Sequence, residues 1–178
     1  IKKILVPIDF SNTAMQALTQ AIVVAKTAGA SLKIIHVAQQ VYFPANEITV
    51  PANDSINMSI LKRSATELKK MIKELKLLHN LQIDFEIKSG NVIDTIGDMA
   101  DKENFDLIIM GTHGTSGVKE FFAGSNSFKT VRYATCPVLT IQENAGAANF
   151  KNIILPIRLE RNSRQKVDYV VAVARLFN

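Results

Sequence analysis

The residues best suited to chemistry form the run Met110-Gly111-Thr-His113-Gly114-Thr-Ser-Gly117, followed by Gly124-Ser125-Asn126. Glycines let main-chain N–H groups approach an anion closely, and a helix opening just beyond them adds unpaired donors and a favourable dipole. Gly111, Gly114, Gly124 and Ser125 therefore make a credible phosphate cradle, against the plainer reading that the glycines serve tight turns. His113 could donate to a phosphate or could be a solvent-exposed loop histidine. The run contains no Gly-x-Gly-x-x-Gly and no Walker A lysine, so no point charge is in place for a transferring phosphoryl group.

A carboxylate stands near the other end of the argument. Asp9 follows the apolar run Lys3-Ile-Leu-Val-Pro-Ile8 and could accept a hydrogen bond from a base amine or a ribose hydroxyl, or cap the helix beginning near Ser11. The other candidates are bland. His36 and His79 read as structural, and the three dispersed histidines show no metal-ligand spacing. Ser125 lacks the pattern of a nucleophile elbow, and Cys136 reads as a small buried residue at a strand entrance.

These residues need a scaffold that gathers them. Lys3 to Ile8, Ser31 to Val37, Leu81 to Lys88, Phe105 to Met110 and Pro137 to Ile141 have strand length and apolar content. Leu81 to Lys88 alternates apolar with polar and predicts an edge; Phe105 to Met110 is nearly unbroken and predicts a central strand. Helices are predicted for Thr13 to Lys26, stopped by Gly29, for Ile56 to Asn80, for a short span after Gly90-Asn91, and for Ser125 to Ala134. Ser11 or Thr13 can cap the first, with Thr13 and Gln16 spaced as a capping box. In the second, Ile60, Leu61, Leu68, Met71, Ile72, Leu75 and Leu78 are assigned to the inward side. Residues 38–55 predict a long loop, either a lid or an insertion. Strand alternating with helix predicts an open α/β domain with five parallel strands and helices on both faces, in which ligands sit beyond the carboxyl ends of strands where their order reverses.

Composition excludes several classes. The 178 residues hold one full α/β domain and a remainder. No run approaches the ~20 apolar residues of a membrane helix. The net charge of +5 is spread over helices that also carry Glu, so it predicts a solvated face and no nucleic-acid partner. One cysteine excludes an intrachain disulfide and fits a reducing cytosol.

Beyond Glu143 the chain changes character. Residues 144–149 have linker composition, and then Lys151-Asn-Ile-Ile-Leu-Pro-Ile157 repeats Lys2-Lys-Ile-Leu-Val-Pro-Ile8 at an offset of 149. The helix Thr13 to Lys26 is echoed by Asn162 to Arg175. The expected organisation is a complete domain over 1–143, a linker, and the first strand and helix of a second repeat over 150–178. Arg158 stands where the first unit has Asp9, which reverses the charge and removes the acceptor.

On these residues the chain resembles the universal stress protein (UspA-like) family, from Ile4-Leu-Val-Pro-Ile-Asp9 through Cys136-Pro-Val-Leu-Thr140. The pattern of its nucleotide-binding branch, Gly, two residues, Gly, nine residues, Gly and then Ser or Thr, is met by Gly111, Gly114, Gly124 and Ser125. The resemblance implies a Rossmann-like, adenine nucleotide alpha hydrolase-like fold with strand order 3-2-1-4-5. It implies binding of ATP, or ADP or AMP, with Pro7, Ile8, Asp9 and Val37 near adenine and ribose. Met110 and the glycine run, with His113 and Asn126, would lie near the phosphates, and magnesium could accompany them. It also implies a cytoplasmic stress-response regulator or sensor that pairs with a second domain or a second copy and has no common catalytic reaction. Two alternatives stay open: a nucleotide-free dimerising scaffold, and a slow ATP hydrolase.

Overall fold

The structure, a computed structural model, describes residues 1–38, 52–112, 126–143, 150, 152–156 and 161–177. Five strands, β1 (Lys3–Pro7), β2 (Ser31–Ala38), β3 (Ile83–Ser89), β4 (Leu107–Gly111) and β5 (Val138–Ile141), form one parallel sheet in the order β3-β2-β1-β4-β5, as expected. Ile4, Leu5 and Val6 of central β1 are completely buried, which is why the run is apolar without alternation. Burying each such side chain stabilises by about 1.5–3 kcal/mol.

The helices α1 (Asn12–Ala28), α2 (Ala52–His79), α3 (Val92–Lys102) and α4 (Asn126–Tyr133) divide between the two faces. Ile4, Val6, Leu32 and Ile34 pack with Ala17, Leu18 and Ala21 of α1 and with Leu68 and Ile72 of α2. Leu5, Ile35, Ile108 and Met110 pack with Ile96, Met99 and Ala100 of α3, beside which α4 lies. Right-handed crossovers dictate this division, because connections leading toward β3 and those leading toward β5 must pass on opposite faces. The chain order reverses between β1 and β4, so a crevice opens beyond their carboxyl ends.

Several boundaries differ from the sequence expectation. Ser11 alone is the N-cap of α1, its Oγ accepting from the Ala14 N–H at 3.2 Å, while Thr13 is buried within the helix. Gly29 stops α1 as predicted, at φ 63°, where a side chain is disfavoured. α2 begins at Ala52, so the predicted loop is shorter at its end; polar residues read there as loop formers also suit a first helical turn, and residues 39–51 lie outside the described set. Leu78 is 74% exposed. Ten residues at 100° each carry it about 80° away from the line of Leu68, off the buried stripe. Phe105 and Asp106 precede β4; the Asp106 carboxylate instead accepts the Lys2 and Lys3 N–H groups at 2.6 and 2.9 Å.

In the predicted second unit, residues 152–156 form no strand, while a helix, α5 (Arg161–Phe177), does form. The Phe177 and Phe150 rings meet edge to face at 4.7 Å and pack against the core cluster that includes the buried side of α1. Residues 144–149, the expected linker, and Arg158 lie outside the described set.

Candidate functional site

The turn from β1 into α1 is built by a short series of polar contacts. The Ile8 N–H donates to the Ile35 carbonyl at 2.8 Å, continuing the ladder one residue past β1. Its own carbonyl lies 2.9 Å from His36 Nδ1. A carbonyl can only accept, so this nitrogen carries the hydrogen and the tautomer is set. Asp9 Oδ1 accepts the Ser11 N–H at 3.0 Å, and Ser11 caps α1. Between them Phe10 takes φ 62°. A left-handed conformation costs a non-glycine residue roughly 1–2 kcal/mol. Here it is held in place by the Phe10 ring, which packs on the core and lies 5.1 Å from the His36 ring, centroid to centroid. Sequence reasoning set His36 aside as structural; its position at the end of β2, level with the β1 exit, was the available signal.

The other wall of the crevice is the end of β4. Carrying the register Ile4↔Leu107, Leu5↔Ile108 along the strands brings Asp9 level with Thr112. Thr112 is buried; its N–H donates to the Ile141 carbonyl at 2.9 Å, and its carbonyl accepts the Ser127 hydroxyl at 2.8 Å. Ser127, also buried, thereby ties the first turn of α4 to the end of β4. The two ends of the glycine run are thus fastened together at the sheet edge. His113, Gly114, Gly124 and Ser125 lie outside the described residues.

Gly111 has a packing reason of its own. A Cβ there would sit 2.8 Å from the Thr13 carbonyl carbon and 3.0 Å from the Ala14 nitrogen. The missing side chain lets β4 and the start of α1 touch backbone to backbone.

The remaining candidates divide by exposure. Asp9 and Val37 are half-buried and Asn126 is exposed, whereas Pro7, Ile8 and Met110 are buried. Val37 and Met110 pack on the α3 face, and the Ile8 side chain on the α1 face. The Ile8 main-chain carbonyl takes part in the β1–α1 turn.

A second concavity, of about 400 Å³, lies along α3 and is lined by Asp94, Asp98, Asp101 and Tyr133 among others. Three carboxylates there repel a polyanion, so it does not compete as a phosphate site. The clearest charge perturbations also lie outside the crevice. Burial lowers the pKa of Lys33, but hydrogen bonds to Glu103 at 2.6 Å and Glu86 at 2.9 Å outweigh it and raise the pKa overall. The Lys33 hydrogen bond in turn holds Glu86 below the ordinary carboxylate value. Burial pushes the Cys136 thiol up, away from reactivity. Among the described residues no group of three or more His, Cys, Asp or Glu could hold a metal, and no helix is long and apolar enough to cross a membrane.

Comparison with known proteins agrees with this architecture. The model of the universal stress protein family matches residues 1–142. A universal stress protein of Methanocaldococcus jannaschii is 31% identical over 144 residues, covering 80% of this chain and 82% of that protein. The structure of UspA from Lactobacillus plantarum superposes with a TM-score of 0.67 at 28% identity, covering 79% of this chain and 97% of that one. An Arabidopsis thaliana universal stress protein family member, solved with AMP bound, shares the fold at a TM-score of 0.53 and 19% identity, covering 82% of this chain and 94% of that one. With the family model spanning the five-stranded domain and its crevice, the chain belongs to the universal stress protein family.

Proposed function

We propose that the first unit binds an adenine nucleotide, ATP foremost, in the crevice beyond β1 and β4, and that the protein acts as a cytoplasmic stress-response regulator or sensor without strong catalysis. The observation that carries this reading is the pairing of two fixed walls at the point where strand order reverses. One wall is the Ile8-Asp9-Phe10-Ser11 turn; the other is the buried Thr112–Ser127 bond that brackets the glycine run. Asp9 and Val37 would meet the nucleoside end. Main-chain donors of 111–114 and 124–126 would take the phosphates, with His113 and Asn126 beside them. AMP in the Arabidopsis relative illustrates what the fold can hold, but at that identity the likeness speaks for the fold alone.

A nucleotide site of this kind works by main-chain hydrogen bonds and helix dipole. Lys119, the one lysine between Gly111 and Ser127, does not follow a glycine as a Walker A lysine does, which argues for retention of the nucleotide over its turnover. With no group of three or more carboxylates or histidines among the described residues placed to hold a metal, a magnesium ion would arrive held by the phosphates and water.

Isothermal titration with ATP, ADP and AMP, with and without magnesium, tests the reading. Affinity should fall in that order, and Asp9→Ala should weaken all three by about tenfold, the worth of one charge-assisted hydrogen bond. Absence of any titratable nucleotide would refute it. That result would favour a nucleotide-free dimerising scaffold, for which β5, paired on one side only among the described strands, offers an open edge.

A further inference from the structure

We infer that His36 is a positioning residue for the nucleoside end of the site, acting through the Ile8 carbonyl and the Phe10 ring. The inference rests on the nucleotide reading above and adds a residue that lies outside the glycine run and the Asp9 motif.

The argument starts from Phe10. A non-glycine residue at φ 62° persists only where its surroundings hold it. Two neighbours do so. The Asp9 carboxylate draws the Ser11 N–H inward, and the His36 ring meets Phe10 at 5.1 Å with its plane tilted by 53°. The same imidazole donates from Nδ1 to the Ile8 carbonyl at 2.9 Å. His36 thus grips the turn on both sides of Asp9, at the residue before it and the residue after it. It reaches this position because β2 and β1 are parallel neighbours, with Pro7 paired to Ile35, so residue 36 emerges beside the β1 exit. The grip sets the direction of the Asp9 main chain, and therefore the direction in which the carboxylate leaves it. The two residues His36 touches, Ile8 and Phe10, flank Asp9, so its influence is assigned to the nucleoside end.

Two variants separate positioning from general support. His36→Leu keeps the bulk and removes the donor. His36→Asn places an amide N–H close to where Nδ1 stands and restores it. In calorimetric titrations, His36→Leu should weaken ATP and AMP by the same factor, about tenfold, and His36→Asn should recover most of that loss. Hydrogen exchange gives an independent readout: the Ser11 amide should exchange at least about tenfold faster in His36→Leu while Leu18 amide protection is unchanged. Unchanged affinity in His36→Leu, no recovery in His36→Asn, or a loss much larger for ATP than for AMP would overturn the inference. If the wild-type chain bound no nucleotide, the functional reading would fail by itself. The Ser11 exchange rate would then decide the positioning, an unchanged rate in His36→Leu refuting it.

Discussion

Replacing Gly111 with Ala tests whether that glycine belongs to packing or to ligand approach. The added Cβ would lie 2.8 Å from the Thr13 carbonyl carbon, with the Ala14 nitrogen and the Thr13 Cβ each at 3.0 Å. Carbon atoms attract best at roughly 3.5–4.0 Å, so the closest approach is about 0.7 Å inside the attractive range. The main obstacles are backbone atoms, which cannot rotate aside, and the first turn of α1 must shift. Overpacking of this kind costs about 1–3 kcal/mol. For a chain of this size each kcal/mol lowers the melting temperature by roughly 2–4 °C, giving an expected fall of about 2–12 °C. Gly97→Ala is the internal control: a Cβ at Gly97, within α3, meets nothing within 4 Å. It should stabilise by about 0.5–1 kcal/mol through helix propensity. Thermal unfolding by circular dichroism, at fixed protein concentration and without nucleotide, measures both. A Gly111→Ala protein that melts with the wild type would refute the packing argument and return that glycine to the ligand.

Gly124→Val should abolish nucleotide binding while the circular dichroism spectrum and melting temperature of the apo protein stay close to wild type; equal affinity would count against the cradle. The Lys33 network predicts a pH dependence with two limbs. Lys33 is raised above 10.5, so its contribution is complete below that pH and is lost as pH rises through the raised value. Glu86 is lowered below 4.5, so its contribution is present above that pH and is lost as pH falls through the lowered value. Urea midpoints for Lys33→Met should therefore lie below wild type at neutral pH and converge with it at both extremes. The neutral gap should be only about 1 kcal/mol, since Glu86 is partly exposed and screened; a gap constant across the whole range would refute the assignment.

The sheet was legible because each strand reports its own surroundings. Leu107 to Met110 is unbroken and lies inside, Leu81 to Lys88 alternates and lies at the edge, and the α1 stop at Gly29 follows from one residue type. What escaped was set by partners distant in sequence. Nothing local distinguishes Ser11 from Thr13 as a cap, whereas in the fold Thr13 is buried where Gly111 of β4 lies against the start of α1. Nor does His36 show its target, because Ile8 lies 28 positions away and becomes a neighbour only through the β1–β2 register. The glycine run was legible as a pattern, and its anchorage by Ser127 was not: a serine in a predicted first helical turn gives no sign that its hydroxyl reaches back to Thr112.

The start of the repeat shows the same dependence from the other side. Asn12 and Arg161, which open α1 and α5, are 149 residues apart. A helix satisfies its hydrogen bonds within itself, so a repeated sequence can open a helix at the corresponding residue. A strand satisfies its own only through neighbours. Ile4 and Leu5 are fully buried between β2 and β4, while their counterparts at the same offset, Ile153 and Ile154, are 37% and 93% exposed and belong to no strand. The two segments have nearly the same residues and differ in what lies beside them. The crevice proposed to hold nucleotide lies where β1 is held between both neighbours, so the placing of Asp9 depends on β2 and β4 as well as on the residues of β1 itself.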